Sequence, residues 1–117
     1  MVTAEEARTM ALTFPGAEER SHFDTADFRV RGKIFATLPD AEKMVVRIDP
    51  ADQAALLSGF PTTFSAAAGA WGLRGWTNVR LGLVDPDMLH DLLIEAWRRL
   101  AGKRAVEAFD EARRQQG

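Results

Sequence analysis

Three basic side chains, Arg29, Arg31 and Lys33, occupy alternate positions in a segment that mixes apolar and basic residues. Alternate residues of a β-strand point to the same face, so this spacing could bring the three cations together. A protruding hairpin with a basic tip can contact the phosphates of a nucleic acid or enter one of its grooves. The spacing therefore predicts a phosphate-binding surface on this segment.

A second candidate segment, residues 73–80, has the sequence LRGWTNVR. Arg74 and Arg80 offer further phosphate contacts, while Trp76 can stack on a base and the amide of Asn78 can read a base edge. The alternative is structural, because charges keep an edge hairpin soluble and a tryptophan commonly packs in the core. The residues alone leave both interpretations open.

Residues that carry catalysis or bind metals are sparse. The chain has no cysteine, which excludes disulfides, thiolate chemistry and cysteine-ligated metals. Ser21 and His22 are adjacent, but neighbouring residues of an extended chain point in opposite directions. The groupings His22/Asp24 and His90/Asp91 offer fewer ligands than a mononuclear metal site requires. Because glycine-rich nucleotide-binding motifs are also missing, we expect no enzyme, no metal site and no cofactor.

Helix and strand signals predict the elements that carry these segments. A capping box over residues 3–6 opens a first helix, Pro15-Gly16 ends it, and residues 17–20 are expected to form an acidic loop. Residues 28–38 predict a β-hairpin around Arg31-Gly32, with a turn of either two or four residues. The patterns further along predict a strand at 44–48, a helix at 50–58, a short strand within 60–65, a small-residue connector at 66–70, a strand at 76–83 and two helices separated by Gly102.

One type of junction occurs twice, where a strand runs into Asp49-Pro50 and another runs into Asp85-Pro86. Each aspartate can cap the free N–H groups of a helix, and each proline fits the first helical turn. The resulting order is α-β-β-β-α-β-β-α-α, with hairpin-joined strands. This order predicts an α+β domain of two layers, an antiparallel sheet with helices packed on one face.

Length and composition predict one globular domain over residues 1–117. The chain is 46% hydrophobic and 27% charged, and its formal net charge of −2 argues against generic, strongly basic nucleic-acid binding. The N-terminus lacks signal-peptide features, and no stretch approaches the roughly 20 apolar residues of a membrane span. We therefore expect a cytoplasmic protein with no membrane partner.

Four motifs, in order along the chain, resemble those of the MmcQ/YjbR-like family. The run DFRVRGKIFA at residues 27–36 looks like the family's F-R-V-x-G-K-x-F-A hairpin, and residues 12–19 are similar to its L-x-L-P-G-x-x-E segment. Trp76, Val79 and Leu81 match a W-x-x-V-x-L strand, and residues 96–104 resemble the closing helices. The resemblance extends from about Thr3 to Phe109.

The resemblance implies an α+β fold similar to the frataxin and secretion-chaperone layouts, and the DNA-binding function by which the family is commonly labelled. The expected function is therefore non-catalytic binding of double-stranded DNA through its backbone. The residues expected to contact phosphates are Arg29, Arg31, Lys33, Arg74 and Arg80, and those expected to contact bases are Trp76 and Asn78.

A different class of function is also compatible with the sequence. The sheet face left open by the helices could present aromatic side chains to a small molecule, a peptide or a second copy of the chain, namely Phe23, Phe64, Trp71 and Trp76. The chain has FDTA at residues 23–26, where many family members have Tyr-Gly-Thr-Pro, and lacks their His or Tyr near residues 69–72. These departures imply a more apolar pocket than in such relatives.

Overall fold

The computed structural model describes residues 1–116, which form six strands and five helices. Among these residues, no helix combines the length and the apolar character needed to cross a membrane. The elements are α1 (Ala4–Leu12), β1 (Glu18–His22), β2 (Thr25–Val30), β3 (Lys33–Leu38), β4 (Lys43–Arg47), α2 (Pro50–Gly59), β5 (Phe64–Ala66), α3 (Ala70–Leu73), β6 (Trp76–Arg80), α4 (Pro86–Ala101) and α5 (Lys103–Gln116).

The strands form one antiparallel sheet in the order β1-β2-β3-β4-β6-β5. Helices α1, α2 and α4 contact the sheet, while α5 packs against α4. Alternate strand residues such as Phe28, Met44 and Val79 are buried beneath these helices, and the core also takes in Trp97 of α4. The predicted α+β class, with an antiparallel sheet and helices on one face, is confirmed.

Both Asp-Pro helix caps form as predicted, although a turn separates β6 from the second one. Asp49 accepts a hydrogen bond from the backbone N–H two residues later, and Asp85 accepts from the N–H groups two and three residues later. Pro50 and Pro86 lie in the first turns of α2 and α4, where no backbone donor is required. These caps fix where α2 and α4 begin.

Three segments differ from the prediction. Residues 17–20, expected to be a loop, lie largely within β1, an edge strand whose side chains are mostly exposed and therefore show no alternation of apolar and polar residues. The predicted connector at 66–70 contains the end of β5 and leads into α3. The predicted strand 76–83 ends at Arg80, because the following residues turn toward the start of α4.

Two tight turns close the hairpins at the β1 end of the sheet. Arg31 and Gly32 connect β2 to β3 with φ values of 55° and 77°, so the shorter of the two predicted turns is present. Phe23 and Asp24 connect β1 to β2 with φ values of 48° and 63°. Positive φ at both central residues is the geometry of a type I′ turn, which favours asparagine and glycine, so phenylalanine is an unusual occupant.

Candidate functional site: a cleft on the open face of the sheet

The three cations of the β2–β3 hairpin point in different directions. Arg29 lies on the face of the sheet that the large helices leave open, whereas Lys33 is paired with the buried Val30. Arg31 lies in the turn, and its guanidinium approaches Gly102 so closely that a Cβ there would be 2.9 Å from Nη1. This is the C-terminal end of α4, where a cation is favoured by the helix dipole. The alternating spacing therefore does not bring the three cations onto one face.

Asp27 of β2 is fully buried, although it lies on the open face. Arg29 donates to it from Nε over 2.7 Å and from Nη2 over 3.1 Å, and Nδ1 of His22 lies 2.7 Å from Oδ2. The hydrogen bond from Arg29 is the main cause that holds the pKa of Asp27 below its ordinary value, although burial acts in the opposite direction. Asp27 is therefore ionised at neutral pH and occupies the guanidinium of Arg29.

The same contact determines how His22 faces the solvent. An ionised carboxylate beside Nδ1 holds the proton on that nitrogen, so Nε2 is the ring nitrogen left for other partners. Within the described residues Nε2 has no hydrogen-bond partner, and the ring lines a cleft on the open face. His22 is consequently a fixed polar group at the edge of that cleft.

The cleft has a volume of about 420 Å³. Its floor consists of outward-facing side chains of β3, β4 and β6, and its sides are formed by β1 and by the segment from β5 to α3. The floor residues are Ile34, Thr37, Lys43, Val45, Trp76 and Asn78, and the side residues are His22, Ala67, Ala68 and Trp71.

Strand register separates the cleft into an aromatic end and a basic end. Asn78 and Val45 are cross-strand partners in the middle of the floor. Trp76 lies two residues from Asn78 in one direction, and Lys43 lies two residues from Val45 in the other, opposite Arg80. Because a strand rises about 3.3 Å per residue, the two ends are separated by roughly 13 Å along the sheet.

Two tryptophans form the aromatic end. The rings of Trp71 and Trp76 lie edge to face with their centroids 6.1 Å apart, and Trp71 remains 60% exposed. The guanidinium of Arg74 lies 5.9 Å from the centre of the Trp71 ring, which is cation–π distance. Phe64, in contrast, is buried on the helix side of the sheet, so its inclusion in the predicted aromatic surface is wrong.

A comparison with known protein families finds a match. The family model described as YjbR matches residues 12–99. The chain belongs to the YjbR family. The match contains all six strands and therefore the whole cleft, and it confirms the predicted family resemblance.

A solved structure has a similar fold. The crystal structure of Deinococcus radiodurans protein DR2400, which carries a DUF419 domain, is 22% identical in sequence and superposes with a TM-score of 0.73. The similarity covers 83% of this chain and 77% of that chain, and at this level of identity it establishes the fold alone. No curated protein matches this YjbR-family chain.

The remaining predicted contacts have separate environments in this YjbR-family protein. Asn78 donates from its side-chain amide toward Ser65 Oγ at 3.2 Å, so this amide is already partnered. Arg80 and Lys33 are exposed, and Trp76 is half-buried. Within residues 1–116, no group of three or more His, Asp or Glu side chains is placed to hold a metal ion. Sequence reasoning did not select His22, Asp27 or Lys43 as site residues; the spacing Asp-x-Arg on a strand was the available signal for Asp27.

Proposed function

We propose that this protein is a binding module that holds the flat ring of a small ligand in the cleft on the open face of its sheet. The observation that carries the proposal is the pair Trp71 and Trp76, whose indoles line one end of a cleft of about 420 Å³. Ligand pockets typically combine apolar and aromatic walls with a few fixed polar groups. His22 and Lys43 supply such groups at the other end.

The exposure of Trp71 supports a ring-binding role. An indole that served only to fill the core would be covered, as Trp97 is. Trp71 instead leaves 60% of its surface exposed beside the cleft, where a stacked ring would remove apolar area from water. The contact with Trp76 holds the indole in an edge-to-face arrangement before a ligand arrives.

Binding is favoured over catalysis by the state of the acidic group. Asp27 is ionised and fully engaged by Arg29 and His22, so it is a poor proton acceptor at neutral pH. Its contacts are suited to holding the His22 ring in one orientation. We therefore propose a non-catalytic function.

The indole N–H signals of the three tryptophans provide a direct test by NMR. A set of neutral and acidic ring compounds, titrated to about 1 mM, is expected to shift the signals of Trp71 and Trp76. Trp97 is an internal reference, because it is fully buried and its Nε1–H donates to the carbonyl oxygen of Pro15. A compound that binds in the cleft shifts the signals of Trp71 and Trp76 and leaves that of Trp97 unchanged. If no compound produces this pattern, the proposal is refuted.

A matched pair of variants identifies the binding surface. Trp71→Ala is expected to weaken binding of a compound found in this way by about tenfold or more, since a stacked ring loses its platform. Leu73→Ala is the control, because Leu73 is 83% exposed on the same segment and does not line the cleft. If Trp71→Ala and Leu73→Ala bind the compound with equal affinity, the ligand does not stack on Trp71 and binds outside the cleft.

Duplex DNA is the second candidate ligand, and the exposed cations beside the cleft favour it. Arg74 and Arg80 are both exposed, and Lys43 faces the same side as Arg80 in a directly paired position. Arg29 is less suited to phosphate contact because Asp27 occupies its guanidinium. The DNA proposal therefore depends mainly on β6 and the loop before it.

Salt dependence distinguishes the two candidates. In an anisotropy titration of a duplex of about 25 base pairs, phosphate contacts predict affinity that falls steeply between low and physiological salt. Arg74→Ala/Arg80→Ala is expected to weaken this binding, while Lys103→Ala/Arg104→Ala, the same charge change on α5, leaves it intact. Absence of binding at low salt, or equal loss in both variants, would exclude DNA binding by this face.

A further inference from the structure

Two like charges face each other across neighbouring strands where the cleft meets an adjoining recess, because Lys43 lines both and Arg80 lines the recess. Lys43 of β4 and Arg80 of β6 are direct cross-strand partners, and both side chains lie on the open face. Like charges in this position destabilise a sheet. Within residues 1–116, neither side chain forms an ion pair. An anion between them would turn this unfavourable pair into a favourable one.

The acidic residues nearest in sequence do not supply that anion. Asp40 and Glu42 lie in the β3–β4 turn and line the same recess as Lys43 and Arg80. Asp40 accepts the backbone N–H of Glu42 over 2.8 Å and so stabilises the turn itself. Neither carboxylate comes within ion-pair distance of Lys43 or Arg80.

His22 faces the cleft from the same end as this pair. It is paired with Thr25 on β2, two residues from Asp27, in the direction that corresponds to Lys43 on β4. Its Nδ1 is held by Asp27, so Nε2 is the atom available to a ligand. The His22 ring therefore borders the space in which an acid group held by Lys43 would lie.

We propose that the ligand is a ring-bearing acid, with its ring against Trp71 and Trp76 and its carboxylate or phosphate group at Lys43 and Arg80. This inference rests on the proposed ring-binding function and adds the anion-binding end. The separation of roughly 13 Å between the two ends allows a linker of a few bonds between ring and acid, as in a nucleoside monophosphate. Both acid types share the same chemistry at this site.

Paired acidic and neutral probes separate the anion site from the ring site. Adenosine 5′-monophosphate is compared with adenosine, and 3-phenylpropionate with 3-phenylpropanamide, using the NMR shifts of Trp71 and Trp76 to measure affinity. The acidic member of at least one pair is expected to bind about tenfold more tightly, since charge-assisted hydrogen bonds form only with the acid. The pair that shows this advantage identifies the acid as a phosphate or a carboxylate.

The double variant Lys43→Gln/Arg80→Gln is expected to abolish the advantage of the acid, so that the acidic and neutral members of a pair bind with similar affinity. Lys103→Gln/Arg104→Gln on α5 makes the same change in net charge and is expected to preserve the advantage. Thermal denaturation checks the fold, and the first variant should be at least as stable as the parent because it removes a like-charge pair.

Each outcome has a distinct meaning. If neutral probes bind at the tryptophans but acids bind no more tightly, or if the double variant retains the advantage, the anion site is wrong and ring binding stands. If neither member of either pair moves the signals of Trp71 and Trp76, ring binding fails and the inference falls with it. If both double variants lose the advantage equally, the effect is one of net charge and the anion site is again wrong.

Discussion

Replacing Asp27 with asparagine tests the buried network that orients His22. The carboxylate accepts three hydrogen bonds, one at Oδ1 from Arg29 and two at Oδ2, from Arg29 and His22. An asparagine has only one oxygen, so even its better orientation leaves a guanidinium N–H of Arg29 facing an NH₂ group. A hydrogen bond to a charged group contributes about 1.5–3 kcal/mol, and the partial exposure of Arg29 favours the lower part of that range.

We therefore expect Asp27→Asn to lower the free energy of unfolding by about 2 kcal/mol at neutral pH. For a chain of this length, that loss corresponds to a decrease in Tm of about 8 °C. Urea denaturation followed by far-UV circular dichroism gives the free energy directly. Asp24→Asn is the matched control, because it removes a neighbouring carboxylate that is exposed in a left-handed turn position tolerant of asparagine.

The stability difference between the parent and Asp27→Asn should also depend on pH in a defined direction. Because the pKa of Asp27 is lower in the folded protein than in the unfolded chain, its contribution is complete above the unfolded value of about 3.9. The contribution is lost as pH falls through the still lower folded pKa. The difference between parent and Asp27→Asn should thus be constant from about pH 7 to about pH 5 and shrink below about pH 4. Equal stability at neutral pH, or a difference that grows in acid, would refute this account.

Three further substitutions test the local geometry by thermal denaturation. Gly75→Ala should destabilise by about 3 kcal/mol or more, because φ is +100° and the new Cβ would lie 1.8 Å from a backbone oxygen. Gly82→Ala, with open space around it, should be close to neutral, and similar effects at the two positions would contradict the cause. Phe23→Asn should stabilise the protein by about 1 kcal/mol, because asparagine tolerates the left-handed backbone conformation better than phenylalanine and the ring is 97% exposed. A loss of stability would mean that the ring makes a contact absent from this structure. Arg31→Ala should destabilise by about 0.5–1 kcal/mol through the end of α4, whereas Lys33→Ala on the same hairpin should not; an equal effect would remove the helix-end explanation.

The elements that follow a strong local rule could be predicted from the sequence. The Asp-Pro caps of α2 and α4 depend on residues close together in the chain, so pattern and structure agree. Strand β1 lacked such a signal, because an edge strand with both faces exposed needs no apolar residues. Strand β1 forms because it pairs with β2, and the residues of β1 alone do not predict this pairing.

The site was harder to predict because it depends on register across the sheet. Alternate spacing would bring Arg29, Arg31 and Lys33 to one face only if a single strand continued past residue 30. The two-residue turn at Arg31 and Gly32 ends that strand. A β-bulge between β2 and β3 shifts the register again. In the sequence, His22 is adjacent to Ser21 and close to Asp24, but its partner in the structure is Asp27. The pairing of β1 with β2 brings Asp27 to the Nδ1 of His22.

Two local rules are broken near the cleft, and their positions bear on function. Lys43 and Arg80 oppose each other with like charge, and Phe23, whose ring lies beside that of His22, adopts a backbone conformation suited to asparagine or glycine. Each feature is unfavourable for folding. Departures of this kind tend to cluster at functional sites, where binding compensates for their cost. Because both border the same cleft through Lys43 and His22, the open face of the sheet is the surface on which we expect this protein to act.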